Sequence, residues 1–156
     1  MSPNAVALRI VGWGRIYENS ESRKLKTLKW VAVPNKMNGE GYTALVDHPD
    51  GAAHLGAWLA ILEIASSREI RGTLPDGDGT IPGICRSIGR ISRLPGKIFE
   101  EVVPRLLEMG WIEEIPLSQS VTDMPGDSPE VPGDGGRIPA AKGREGKGIT
   151  GSPAAL

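Results

Sequence analysis

Between Ile84 and Lys97 the chain carries Arg86, Arg90, Arg93 and Lys97 and no acidic residue. Guanidinium groups grip phosphate oxygens with paired hydrogen bonds, so this spacing suits a polyanion better than it suits acid–base catalysis. A second cationic cluster lies upstream: Arg15–Lys36 holds six basic residues against Glu18 and Glu21, densest at Arg23, Lys24, Lys26 and Lys29. The net charge is −1, and the residues up to Ile115 carry 14 basic and 14 acidic side chains. Two basic clusters in a neutral domain form either a phosphate-facing side or ordinary solvated faces.

Other chemistries find less support. His48 and His54 lie near Asp47 and Asp50, but neither H-E-x-x-H nor paired-cysteine spacing occurs, so His54 reads as a capping or packing residue and no metal is expected. The stretch "NKMNGEGYTALVD" lacks the alternating acidic ligands of a calcium loop, and "GREGKG" lacks the spacing of a phosphate loop. The one cysteine, Cys85, falls on an apolar stripe and reads as a small core residue; alone it forms no internal disulfide and fits a reducing compartment. No G-x-S-x-G motif or placeable carboxylate pair is present, so neither an enzyme nor a cofactor is expected. With no signal-like or membrane-spanning segment, the expected setting is the cytoplasm, without membrane association.

The elements that would position these residues follow from periodicity. "RIVGWGRIY" alternates Val11, Trp13, Arg15 and Tyr17 on one side and reads as a strand weakened by glycine; "LKTLKWVAV" alternates again up to Pro34. "PNKMNGEGYTALVDHPDG" is dense in turn formers and reads as a structured loop. "AAHLGAWLAILEIASS" has helical spacing, "RGTLP" is a short strand or connector and "DGDGT" is a turn. "IPGICRSIGRIS" and "GKIFEEVVPRLLEMG" are helices separated by "RLP", with Pro104 an irregularity in the second and Gly110 its left-handed end; "WIEEI" closes as a strand. From Pro116 the chain is rich in Gly and Pro, has no aromatic residue and reads as a disordered tail, giving a folded domain over 1–115 and a tail over 116–156.

On this frame Lys24 and Lys26 share one face of an extended chain, as do Arg23 and Lys29. A basic edge beside Trp13, Tyr17 and Trp30 suits single-stranded nucleic acid, by charge and stacking. The competing expectation places both tryptophans in the core and leaves the lysines to guard an edge strand.

Helix, short strand, helix, tight turn, helix, strand is the order of a winged helix-turn-helix, an α+β fold. In that fold Lys97, Glu100, Glu101 and Arg105 lie nearest to DNA, and Arg86, Arg90 and Arg93 clamp phosphates from the preceding helix. Adjacent glutamates repel phosphates, so weak binding dominated by phosphate contacts is expected rather than base-specific reading.

The block "YENSESRKLKTLKWVAVPNKMNGEGYTALVDHPDGAAHLGAWLAILEIASSREIRGTLP", with "ISRLPGKIFEEVVPRLLEMGWIEE", resembles the N-terminal winged-helix domain of phage and prophage replisome organisers, relatives of DnaD-type helicase loaders. The resemblance covers about Trp13 to Glu114. It implies a DNA-associated replication-initiation module that helps assemble a helicase-loading complex by binding. The implied partners are double- or single-stranded DNA, further copies of itself, and a replicative helicase or primosome protein. Such proteins commonly carry a second, helical domain beyond a glycine-rich linker, a pattern the residues after Pro116 do not show. A self-associating protein scaffold and a phage transcriptional regulator are the alternatives on the same fold.

Overall fold

The computed structural model describes residues 5–119. These residues form an α+β fold of six α-helices and a two-stranded sheet. The tail expected over 116–156 lies, from residue 120 onward, outside the described residues. Pro116 is paired in a strand, and Leu117–Gln119 form a turn of 3-10 helix.

Strand β1, Val6–Ile10, opens the described fold. It pairs antiparallel with β2, Ile112–Pro116, from Val6 opposite Pro116 to Ile10 opposite Ile112. Its other edge meets the connector after the long helix, through the bridge of Arg9 with Thr73 and the bonds Leu74 N–H to Leu8 carbonyl (2.8 Å) and Ile10 N–H to Gly72 carbonyl (2.7 Å). Ala7, Leu8 and Ile10 are buried, as a strand covered on both faces requires.

The strand expected across "RIVGWGRIY" is thus corrected to a strand ending at Ile10 and a helical turn. Gly12 adopts φ 67°, a left-handed conformation that ends the strand, and α1, Trp13–Ile16, follows. Trp13 and Tyr17, four apart, stack with ring centroids 5.2 Å apart. The second expected strand, "LKTLKWVAV", does not form either. Both edges of β1 are occupied, and Arg23 and Lys24 instead close a short helix, α2, Ser20–Lys24, capped by Asn19. Residues 30–36 carry no regular structure.

Four helices build the core against this sheet. The expected loop after Pro34 contains α3, Glu40–Val46, which packs on α4, Gly51–Ser66. Helix α4 buries Ala57, Trp58, Ile61, Leu62, Ile64 and Ala65, an apolar surface too wide for a one-sided surface helix. Helix α5, Ile81–Ser92, starts at Thr80, whose hydroxyl accepts from the Gly83 N–H at 3.1 Å, with Pro82 in its first turn where no N–H is needed. Helix α6, Gly96–Glu108, follows after a tight turn. A Cβ on Gly89 would lie 3.0 Å from the Gly96 Cα, so the turn depends on a bare glycine to bring the helices together. Phe99, Val102, Val103 and Leu106 are buried, and Pro104 sits on the exposed side of α6, where its missing N–H is least costly. Gly110, at φ 69°, turns the chain into β2 as expected.

Burial pushes the Tyr17 phenol up to about 12 and the Cys85 thiol up to about 11, the latter with a smaller contribution from Glu100. For Tyr17 the fold holds the protonated form, so its contribution is complete below the ordinary tyrosine range of about 10 and is lost as pH rises toward about 12. Alkaline unfolding followed by tryptophan fluorescence should therefore move to higher pH in Tyr17→Phe; an unchanged midpoint refutes the assignment. Cys85 should stay silent toward a chromogenic disulfide reagent at neutral pH until denaturant is added. Rapid labelling of the native chain would show that the thiol is not sealed in the core.

Candidate nucleic-acid interface

Arg86 and Arg90 lie one turn apart on α5, and Arg93 is its C-cap, so all three share one helical side. All are exposed, as is Lys97 in the first turn of α6. Arg93 adopts φ 61°, the one non-glycine residue with positive φ among those described. That conformation costs a side-chain-bearing residue about 1–2 kcal/mol, and the turn therefore holds an arginine where glycine is easier.

The four cations differ in their engagement. Arg86 Nη2 lies 2.9 Å from Asp78 Oδ2. The Asp78 carboxyl is held below the usual carboxylate range, chiefly by the Thr80 hydroxyl, with the Thr80 N–H and the Arg86 guanidinium adding. Lys97 Nζ lies 3.8 Å from Glu101 Oε1 on the next turn. Arg90 and Arg93 make no ion pair with any described residue.

Arg105 is placed differently from expectation. Its guanidinium turns inward and donates to the Ala44 carbonyl (2.6 Å) and the Leu45 carbonyl (3.1 Å), in the last turn of α3. It also donates to His54 Nδ1 at 2.6 Å. Because arginine has only donors, Nδ1 accepts and the His54 proton sits on Nε2. That nitrogen faces Glu101 Oε2 at 3.6 Å. His54 is buried in α4 and stacks on His48, centroids 4.6 Å apart, so it is a packing residue tying α3, α4 and α6 together. Glu101 thus spends its carboxylate between Lys97 and His54, and of the two adjacent glutamates only Glu100 lacks an ion pair among the described residues.

The upstream cluster also divides. Arg23 Nη2 donates to the Gly14 carbonyl at 2.5 Å, and Lys24 Nζ lies 2.9 Å from Glu21. Because both sit in α2, the shared extended faces expected for Arg23 with Lys29 and Lys24 with Lys26 do not arise. Lys26 and Lys29 are exposed on the irregular segment that follows. Trp13 is buried as expected, whereas Trp30 is 71% exposed, correcting its placement in the core. Sequence inspection missed Arg71, which pairs with Glu18 at 2.5 Å and donates to the Ser22 carbonyl at 2.9 Å and to the Leu25 carbonyl, pinning α2 to the end of α4. The polar run Ser66–Glu69 before Arg71 gave no local signal of that role.

Among the described residues no three His, Cys, Asp or Glu side chains converge as metal ligands, and no helix is long and apolar enough to cross a membrane. No protein-family model, curated protein or solved structure matches the chain.

Arg105→Ala strands two helix-end carbonyls and His54 Nδ1, and should cost about 2–3 kcal/mol in chemical denaturation. Arg105→Lys should recover little, since one ammonium cannot reach the same fork of acceptors. A loss within about 0.5 kcal/mol, the range of an ordinary surface change, would refute an anchoring role.

Proposed function

We propose that the chain is a DNA-associated replication-initiation module built on a winged helix-turn-helix, acting by binding rather than catalysis. The observation that carries this reading is the exposed row Arg86, Arg90, Arg93 on α5 and its cap, with Lys97 across the tight turn. In a helix-turn-helix the first helix crosses the phosphate backbone, the role that this reading gives the row. The left-handed Arg93 supports it, since strain held at a side-chain-bearing residue needs a compensating use. Glu100 on α6 argues for positioning on phosphates over base reading. The resemblance to replisome organisers supplies the biological setting: assembly of a helicase-loading complex in the cytoplasm, with a helicase or primosome protein as partner.

A second reading, a self-associating or partner-binding scaffold, draws on one feature. An open groove of about 470 Å³ runs between α4 and the end of α5, lined by Gly56, Leu59, Ala60, Ile64, Ile91 and Leu94 among others. Ile91 and Leu94 are exposed beside the arginines, so protein contact and DNA contact would compete for that end of α5.

Binding of duplex DNA across a salt series tests the first reading. The Arg86→Ala/Arg90→Ala/Arg93→Ala variant should bind more weakly and lose roughly one unit of logarithmic salt slope per phosphate contact removed. A flat salt response, or an unaltered slope in the variant, refutes it. Sedimentation showing only monomer at micromolar concentration refutes self-association.

A further inference from the structure

Residues 22–39 contain five cations (Arg23, Lys24, Lys26, Lys29 and Lys36) and no Asp or Glu. Arg23 and Lys24 are engaged within the fold, but Lys26, Lys29 and Lys36 make no ion pair with a described residue. Amid them Trp30 is 71% exposed, with Val33 at 48% and Met37 at 69%. The remaining tryptophans are covered: Trp13 and Trp58 are buried, and Trp111 packs on Trp58 with centroids 5.1 Å apart. Tryptophan is the side chain with most to gain from burial, so one left in water between unpaired lysines is a site in want of a ligand.

The segment is anchored at its start and along one side. Arg71 holds the Leu25 carbonyl, and Val31 packs against the core while its neighbours Trp30 and Ala32 face away. Between these points the backbone has no regular partner. An extended, core-anchored ribbon therefore presents an aromatic face flanked by cations at Lys26, Lys29 and Lys36. Unpaired nucleobases stack on such a face while the sugar-phosphate chain meets ammonium groups on either side. Duplex DNA, whose base faces are already stacked, cannot use Trp30 in this way. Glu18 and Glu69 line a shared hollow with Arg23, Leu25 and Lys26, at the start of the strip.

We infer that residues 25–37 form a binding strip for single-stranded nucleic acid, with Trp30 the stacking platform and Lys26, Lys29 and Lys36 the phosphate contacts. This site is separate from the arginine row on α5 and takes unpaired bases in place of duplex phosphates. It holds whether or not that row binds DNA.

The test titrates the full chain with labelled oligothymidylate, oligouridylate and a duplex control, and follows tryptophan emission, compared with that of Trp30→Phe, alongside anisotropy. Oligothymidylate should quench the native chain, and Trp30→Ala should weaken binding by about fivefold to a hundredfold. Trp30→Phe should restore most of the affinity. Lys26→Gln/Lys29→Gln/Lys36→Gln should reduce the salt slope by about two units. Comparing oligothymidylate with oligouridylate shows whether DNA or RNA is preferred. Because Trp30 is exposed, each variant should melt like the native chain, and Arg86→Ala/Arg90→Ala/Arg93→Ala should leave single-strand binding largely intact. No binding to either oligomer, binding indifferent to Trp30→Ala, or capture only by phosphatidylserine vesicles would overturn the strip. Loss of single-strand binding in the α5 variant alone would likewise overturn it and place the contact on the arginine row.

Discussion

Both edges of β1 are taken, and much of the described fold follows from that. β2 closes one edge along its whole length, and Gly72 to Leu74 close the other. Pairing β1 near the start of the described residues with β2 near their end makes the sheet a long-range element. Residues 30–36 carry no regular structure and run over the surface with Trp30 outward.

Arginines do two different jobs within the same domain. Arg71 and Arg105 are anchors: each guanidinium gathers carbonyls from a neighbouring segment and one further partner, Glu18 or His54. Their planar fork of donors suits several acceptors at fixed angles, which a lysine ammonium does not. Arg86, Arg90 and Arg93 are the opposite case, exposed on one side of α5 and left mostly to solvent. Nothing in residue type separates the two groups. What separates them is whether a helix end or loop with unsatisfied carbonyls lies within reach, a property of packing and not of sequence.

The helices were legible because their signals are local and redundant. α4, α5 and α6 each show apolar residues at helical spacing, Pro82 and Thr80 mark the start of α5, and Gly110 marks the end after α6. The N-terminal third was misread for a specific reason. Trp13 and Tyr17 are four apart, and a four-residue interval puts side chains on the same side of a strand and also of a helix. Gly12 decides between them by turning left-handed, and its φ is not visible in the pattern. The same holds for the candidate site. The exposure of the α5 arginines follows from the apolar stripe opposite them, whereas the inward turn of Arg105 depends on the carbonyls of α3, a helix inside a stretch that reads as loop.

That inward turn changes how the glutamates of α6 weigh on DNA binding. Two adjacent carboxylates on a helix facing DNA would repel phosphates and cancel Lys97. Glu101, however, lies 3.8 Å from Lys97 Nζ, so its charge is partly answered inside the domain, and its other oxygen is 3.6 Å from His54 Nε2. Arg105, on the next turn, fixes the His54 tautomer that presents Nε2–H to that carboxylate. One guanidinium therefore organises the end of α3 and the His54 ring together. On this helix Glu100 and Glu108 are exposed; Lys97 and Arg86 are already paired with Glu101 and Asp78, whereas Arg90 and Arg93 make no ion pair with a described residue.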